Sequence, residues 1–523
     1  MAKCAGGEAC ILGDGKRPTA ATTANRIRAG LIRFLLLGGD DAHPVHENGV
    51  KLKGAWITDT LTVENVKAAV GLYLVKCWFA ESISARDATC TGLSLRGSQL
   101  PGLSADRVVV TGSVFLDGDF TATGEVRLLG AQIGCDLTCT GGTFGNADKD
   151  GKPLGDALSA DGMKVTGGVF LDGDFTATGE VRLRGAQIGV DLYCDGGTFR
   201  SKLQGVALNA DGMTVTGGLF MRAAKLFGPV SLTTANIGSL VDDRNCWPDG
   251  SLLLNGFRYG RIADGPTDAS TRIAWLKKQY PPHLGDEFKP QPWEQLIKVL
   301  REMGHPGEAA EVAIAKQRAL RKAGKIGQRR PDPRYSGWCL GLDKVWVAGA
   351  NLLARGWHRI YGWLAGFGYR PAGILMWMVI VAALSGWYFS TAADAGIMAP
   401  SSAEVFAHKQ IHADLHARGN DAASCGIQRE VPPTRYWPAC TALPSEYTTF
   451  NPWLYSLDMI LPLVDLQQDT HWSPSATYTD AKQVAHTLPG GVIARVIMWF
   501  EILFGWFASL MFVAIAGRLV EKD

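Results

Sequence analysis

The chain has 523 residues, of which 46% are hydrophobic, and its 52 Lys+Arg against 50 Asp+Glu give a formal net charge of +2. That length holds several domains of roughly 100–200 residues each. The composition excludes intrinsic disorder, and the charge balance gives no global attraction to nucleic acid. Glycine supplies 63 residues, above the ordinary ~7% and without a collagen period, which points to repeats with many tight turns.

Residues 1–48 read as a partly helical N-terminal segment. Their one apolar run, LIRFLLL, is interrupted by Arg33 and is too short for a secretory signal, so the front of the chain is expected in the cytoplasm. Residues 110–144 recur at 165–199 with five differences in 35 positions, a duplication offset by 55, and a third, decayed copy starts at Val215. Beneath it runs a shorter period. Apolar-polar-apolar triplets centre near 52, 62, 73, 83, 94, 104, 115, 127 and 138, as short strands with two side chains on one face would. Two such units of about 11 residues make one coil, so 49–265 is expected to be a β-solenoid of right-handed type. The pattern resembles a degenerate pentapeptide-repeat or bactofilin-like helix, a surface that binds or assembles. Cys77, Cys90, Cys135, Cys139 and Cys194 are expected to be buried in it. The turns Asp117-Gly118-Asp119 and Asp172-Gly173-Asp174 fit turn chemistry better than calcium. The 17 Lys/Arg and 19 Asp/Glu of residues 49–230 indicate no nucleic-acid partner.

From 266 to 334 the period becomes helical. Trp293, Leu296, Ile297 and Leu300 follow Pro292 at helix spacing, and Pro306 to Gly324 brackets a second helix, which makes a hairpin collar. Residues 335–371 interleave Trp338, Trp346, Trp357 and Trp363 with Arg355, His358 and Arg359, as an amphipathic interfacial segment on lipid does. Residues 372–391 carry no charge and are long enough to cross a bilayer, and 492–517 form a second span containing Glu501. Residues 321–370 hold ten Lys/Arg, whereas 392–491 hold five against ten Asp/Glu. Both termini are therefore expected in the cytoplasm of a bacterial inner-membrane protein, with 392–491 in the periplasm.

On that oxidising side, Cys425 and Cys440 form a possible disulfide. His408, His412 and His416 recur every four residues and would share a helix face, a possible Zn²⁺ site completed by His471, His486 or a neighbouring subunit. Within 451–466, NPWLYSLDMILPLVDL reads as a re-entrant-like stretch. Span, loop, short apolar stretch and span resemble the pore unit of tetrameric cation channels, but no glycine-rich filter is present. A pore would have to use side chains, with Asp458, Asp465, Arg495 and Glu501 as candidates. The alternative for Glu501 is a protonated or Arg495-paired carboxyl in a static dimer.

Three stretches, LLLGGDDAHPVHENGVKLKGAWI, KPQPWEQLIKVLREMGH and YSLDMILPLVDLQQDTHW, resemble a bacterial family whose members are called membrane-associated oxidoreductases. The resemblance covers nearly the full chain and implies a membrane-bound redox activity. The residues themselves show no Gly-x-Gly-x-x-Gly turn, Cys-x-x-Cys pair, Cys-x-x-Cys-His haem site or Gly-x-x-x-x-Gly-Lys-[Ser/Thr] loop. They favour a multi-domain binding or sensor protein: N-terminal β-solenoid, central α-helical hairpin and C-terminal two-helix transmembrane module. Its expected partners are lipid, an unidentified protein on the solenoid and further copies of itself, with envelope stress or phage defence as the setting. A passive membrane scaffold is the remaining reading.

Overall fold

The computed structural model describes residues 1–147, 152–201, 205–334, 337–402, 405, 437–439, 443, 446–479 and 485–520. It divides into two units, Met1–Gln328 and Arg329–Asp523.

In the first unit the chain winds into stacked coils of parallel strands, solenoid-like in form. Each coil lays down four strands, most of them two or three residues long. Leu72–Val75, Trp78–Phe79, Ile83–Ser84 and Thr89–Cys90 take the four faces in turn, and Leu93–Ser94 returns over Leu72–Tyr73. The sequence triplets occupy alternate faces, so their step of about 11 residues is half a coil. Leu137 stacks on Val169, and Val169 on Leu192. The 55-residue duplication therefore spans two coils, one of them lengthened by a loop after Thr143–Gly145. Strands Cys10–Ile11 and Arg26–Arg28 pair with Val50–Lys53 and Trp56–Thr58, so the sheets begin within the segment expected to precede them.

Parallel stacking puts equivalent residues above one another. Phe120, Phe144, Phe175 and Phe199 form a fully buried column with ring centroids 5.2, 5.2 and 5.4 Å apart. Outside, on another face, Phe170, Tyr193 and Phe220 stack at 5.0 and 4.4 Å. Arginines bridge neighbouring coils: Arg96 to Asp117 at 2.8 Å, Arg107 to Asp87 at 2.7 Å, and Arg127 to Asp106 at 2.8 Å. Arg107–Asp87 is open to solvent and screened by it, whereas Asp106 and Asp117 are buried beneath their arginines. Their main effect is to neutralise the surface pair by pair.

Glycines gather at the corners between faces, and two corners show why. Where the third face turns into the fourth, one residue per coil has positive φ: Asn65, Asp87, Arg107, Gly130, Gly162, Gly185, Gly212, Thr234 and Gly256. Only glycine adopts this conformation without strain. Where the fourth face turns into the first, successive coils approach too closely for a side chain. A Cβ on Gly112 would sit 2.6 Å from the Thr91 carbonyl oxygen, and Gly134 and Gly189 would overlap the Thr111 and Thr166 carbonyls in the same way.

Both ends of the stack are covered. Helix α1 (Ala29–Leu36) buries Ala29, Ile32, Leu35 and Leu36, and packs against Leu61–Thr62 and Val50–Lys53. At the far end lie α2 (Ala269–Lys277), α3 (Gln291–Glu302) and α4 (Pro306–Lys322). The hairpin expected as a collar is thus α3 and α4, part of this unit. Side chains of α3 satisfy backbone groups of the last coil. Gln291 accepts from Gly256 N–H at 2.7 Å and donates to the Phe257 carbonyl at 2.9 Å, and Gln295 donates to the Tyr259 carbonyl at 2.8 Å. Beneath α2 the buried pair Arg272–Asp242 is bidentate at 2.8 and 2.7 Å, with Trp247 Nε1–H donating to the same carboxylate at 2.7 Å.

Cys77, Cys90, Cys139 and Cys194 are buried as expected, but Cys135 is exposed. It follows Gly134 at the outer side of the corner, where its counterpart Val190 is also half exposed. Burial pushes the Cys77 thiol up to about 12 and the Cys90 thiol up to about 11, and raises Cys139 and Cys194 as well. Alkylation of the native protein at pH 8 should therefore modify Cys135 and Cys339 and spare Cys77, Cys139 and Cys194 until the chain is unfolded, as peptide mapping would report. Thr234→Gly should stabilise the first unit by about 1 kcal/mol by removing left-handed strain from a β-branched residue. Gly189→Ala should destabilise it by about 1–3 kcal/mol through overpacking. Thermal unfolding of both variants beside the parent checks the pair.

Candidate functional site

The second unit contains α5 (Gly337–Ala365), α6 (Ala372–Asp394), α7 (Pro452–Ile460) and α8 (Pro489–Val520). Helices α6 and α8, the latter over Pro489–Gly517, are long and apolar enough to cross a membrane. The short α7 packs against both. Asn451 caps α7, its side-chain oxygen accepting from Trp453 and Leu454 N–H at 3.0 and 3.1 Å, and Pro452 occupies the first turn. Glycine permits the close approach on both sides. A Cβ on Gly386 would meet the Trp453 ring at 2.8 Å, and one on Gly505 would overlap the Ile460 carbonyl.

Glu501 lies in the middle of this arrangement and is fully buried. The Ser456 hydroxyl of α7 is hydrogen-bonded to Glu501 Oε1, and the same hydroxyl lies 2.9 Å from the Ala382 carbonyl of α6. Ser385 of α6 places a second hydroxyl beside the carboxyl. Oε2 is buried and has no partner in hydrogen-bonding geometry among the described residues. An ionisable side chain buried within so apolar a helix carries a burial cost that an apolar packing residue would avoid.

Arg495 does not pair with Glu501. It is exposed, and its Nε donates to the Pro474 carbonyl at 2.9 Å. Six positions along a helix turn the two side chains about 120° apart. Asp458 is buried too, but it is satisfied: its oxygens accept from the N–H groups of Leu466 at 2.7 Å, Gln468 at 2.8 Å and Asp469 at 3.0 Å. It staples the turn after α7, where Gln467 has positive φ. Asp465 is exposed and accepts from Gln467 N–H at 2.7 Å. Carboxylate oxygens of Asp458, Asp465 and Asp469 lie within 4.8 Å of one another, and burial with the neighbouring Asp458 raises Asp469. The three backbone donors explain Asp458 as a fold element.

His408, His412, His416, Cys425 and Cys440 lie outside the described residues. His471 shares a hydrogen bond of 2.6 Å with the Thr448 hydroxyl. Ser456, Ser385 and the Ala382 carbonyl were not singled out in the sequence, although Ser385 and Ser456 are isolated hydroxyls within apolar runs. On α5, Trp338, Trp346, Trp357 and Trp363 fall within an arc of roughly 120° and are 80%, 73%, 51% and 67% exposed. Lys344, Arg355, His358 and Arg359 occupy the opposite side of the helical wheel. The chain matches no protein-family model, no curated protein and no solved structure.

Asp458→Asn replaces one acceptor oxygen with a donor facing backbone N–H groups, and should weaken the 461–469 turn by about 2 kcal/mol. Asp465→Asn should change it by less than about 0.5 kcal/mol. Hydrogen exchange of the 461–469 amides distinguishes them.

Proposed function

We infer that this chain is a binding or sensor protein anchored in a bacterial inner membrane, whose coil stack of right-handed winding engages a protein partner and whose two-span module acts on the membrane. The observation that carries the reading is Glu501: a buried carboxyl hydrogen-bonded to Ser456 of α7 and enclosed by the apolar middles of α6 and α8. Intramembrane ionisable groups of this kind accompany ion or proton pathways. The Lys/Arg excess of residues 321–370 over 392–491 supports cytoplasmic termini and a periplasmic 392–491. The exposed Trp338 and Trp346 of α5 support an in-plane interfacial helix, with Trp357 and Trp363 packed on Phe507 and Trp377. The module opens a side-chain-lined path or perturbs the bilayer when the solenoid is engaged, in an oligomer of this chain, a use suited to envelope stress or phage defence.

Full-length protein reconstituted in liposomes should release an entrapped ion, and Glu501→Gln should change the flux at least severalfold without reducing incorporation. Incorporation without flux in either protein would favour a passive scaffold. Visible flavin or haem absorption in the purified protein would favour the membrane-associated oxidoreductase implied by the resemblance. A reporter fused after residue 420 should be periplasmic and one after residue 145 cytoplasmic.

A further inference from the structure

The atoms around Glu501 raise a question of proton count. Ser456 Oγ stands between two groups, the Ala382 carbonyl and the Glu501 carboxyl. A carbonyl and an ionised carboxylate only accept, and one hydroxyl carries one hydrogen. If Glu501 were ionised, that single hydrogen would serve both contacts, the only further hydroxyl beside the carboxyl among the described residues being that of Ser385, while Oε2 is buried with no described residue in hydrogen-bonding geometry. A neutral carboxylic acid resolves this: Glu501 donates to Ser456 Oγ, and Ser456 donates to the Ala382 carbonyl.

Among the described residues no cation lies in hydrogen-bonding geometry with either oxygen of Glu501. Residues 372–391 of α6 are uncharged. On α8, Arg495 is engaged by the Pro474 carbonyl. On α7, Tyr455 donates to Met498 Sδ at 3.4 Å, and Asp458, like Asp469 beyond it, is of the same sign as Glu501. Helix α5 meets the spans at Ala365, Ile374 and Ile515, and its titratable groups include Arg355, His358, Arg359 and Tyr361.

We propose that Glu501 is a proton-binding site of the membrane module: the carboxyl carries its proton while α7 is docked, and gives it to water when α7 moves away. In that step the Glu501 O–H bond breaks, the electron pair stays on the carboxylate, and a water molecule entering between α6, α7 and α8 takes the proton. Helix α7 is the element that must move, because it alone brings Ser456 and because Pro452 and Pro462 bound it. This rests on the two-span reading above.

The test uses full-length protein in liposomes, with flotation as the check on membrane association. Infrared difference spectra across a pH titration should show a carboxylic-acid C=O band that bleaches as pH rises and is missing in Glu501→Gln. Over the same pH range, protection of the 452–460 amides, corrected for intrinsic exchange, should fall about tenfold or more, whereas Glu501→Gln, a neutral isostere, should stay protected throughout. A wild-type protein that floats but shows no titrating carboxyl band overturns the proton site and leaves the two-span reading intact. Equal pH dependence of α7 protection in wild type and Glu501→Gln also overturns it. Protein that fails to float overturns the membrane reading itself.

Discussion

Register between coils is the constraint on which the first unit depends. Each short strand lies parallel to its equivalent in the next coil, so each side chain has its own counterpart above and below it. A phenylalanine therefore packs on a phenylalanine, as from Phe120 to Phe199, and an arginine reaches a carboxylate one coil away, as Arg107 reaches Asp87. The same regularity leaves an unpaired row of backbone groups at the end of a stack, an open template for unwanted pairing. Gln291 and Gln295 close that row on the last coil, and α1 covers the apolar interior of the first. Three of the last coil's free backbone groups are thereby engaged within the chain itself.

The second unit contains two buried carboxyls in opposite circumstances. Asp458 receives three backbone N–H groups, and both its oxygens are satisfied by donors that cannot leave without breaking the turn. Glu501 is bonded by one adaptable hydroxyl, and its other oxygen has no partner in hydrogen-bonding geometry among the described residues. The first is a fastener. The second is the group we propose to carry a removable proton.

Much of the architecture was legible because it repeats or runs long. The half-coil step, the two-coil duplication and the two apolar helices all follow from periodicity or length. What escaped depends on direction rather than spacing. Cys135 looked like a core thiol by residue type, yet it follows the glycine of a corner and points outward. Arg495 and Glu501 are near in sequence but lie on different sides of α8. Asp458 resembled a pore residue because its partners are backbone amides of a loop that no side-chain pattern marks. The four-sided coil was half visible, since the second and fourth faces carry strands such as Gln132–Ile133 with one inward side chain each, too few for a triplet.

The duplicated block has a bearing on how this chain can change. Because it spans whole coils, copying it once more would add two coils, or roughly 10 Å at ~4.8 Å per coil, between ends that keep all their own contacts. The stack is a ruler whose length a slipped recombination can reset in a single event, while point mutations at Gly134 or Gly189 are opposed by the neighbouring carbonyl. Reach can therefore evolve faster than cross-section, and related chains should differ in coil number before they differ in coil shape.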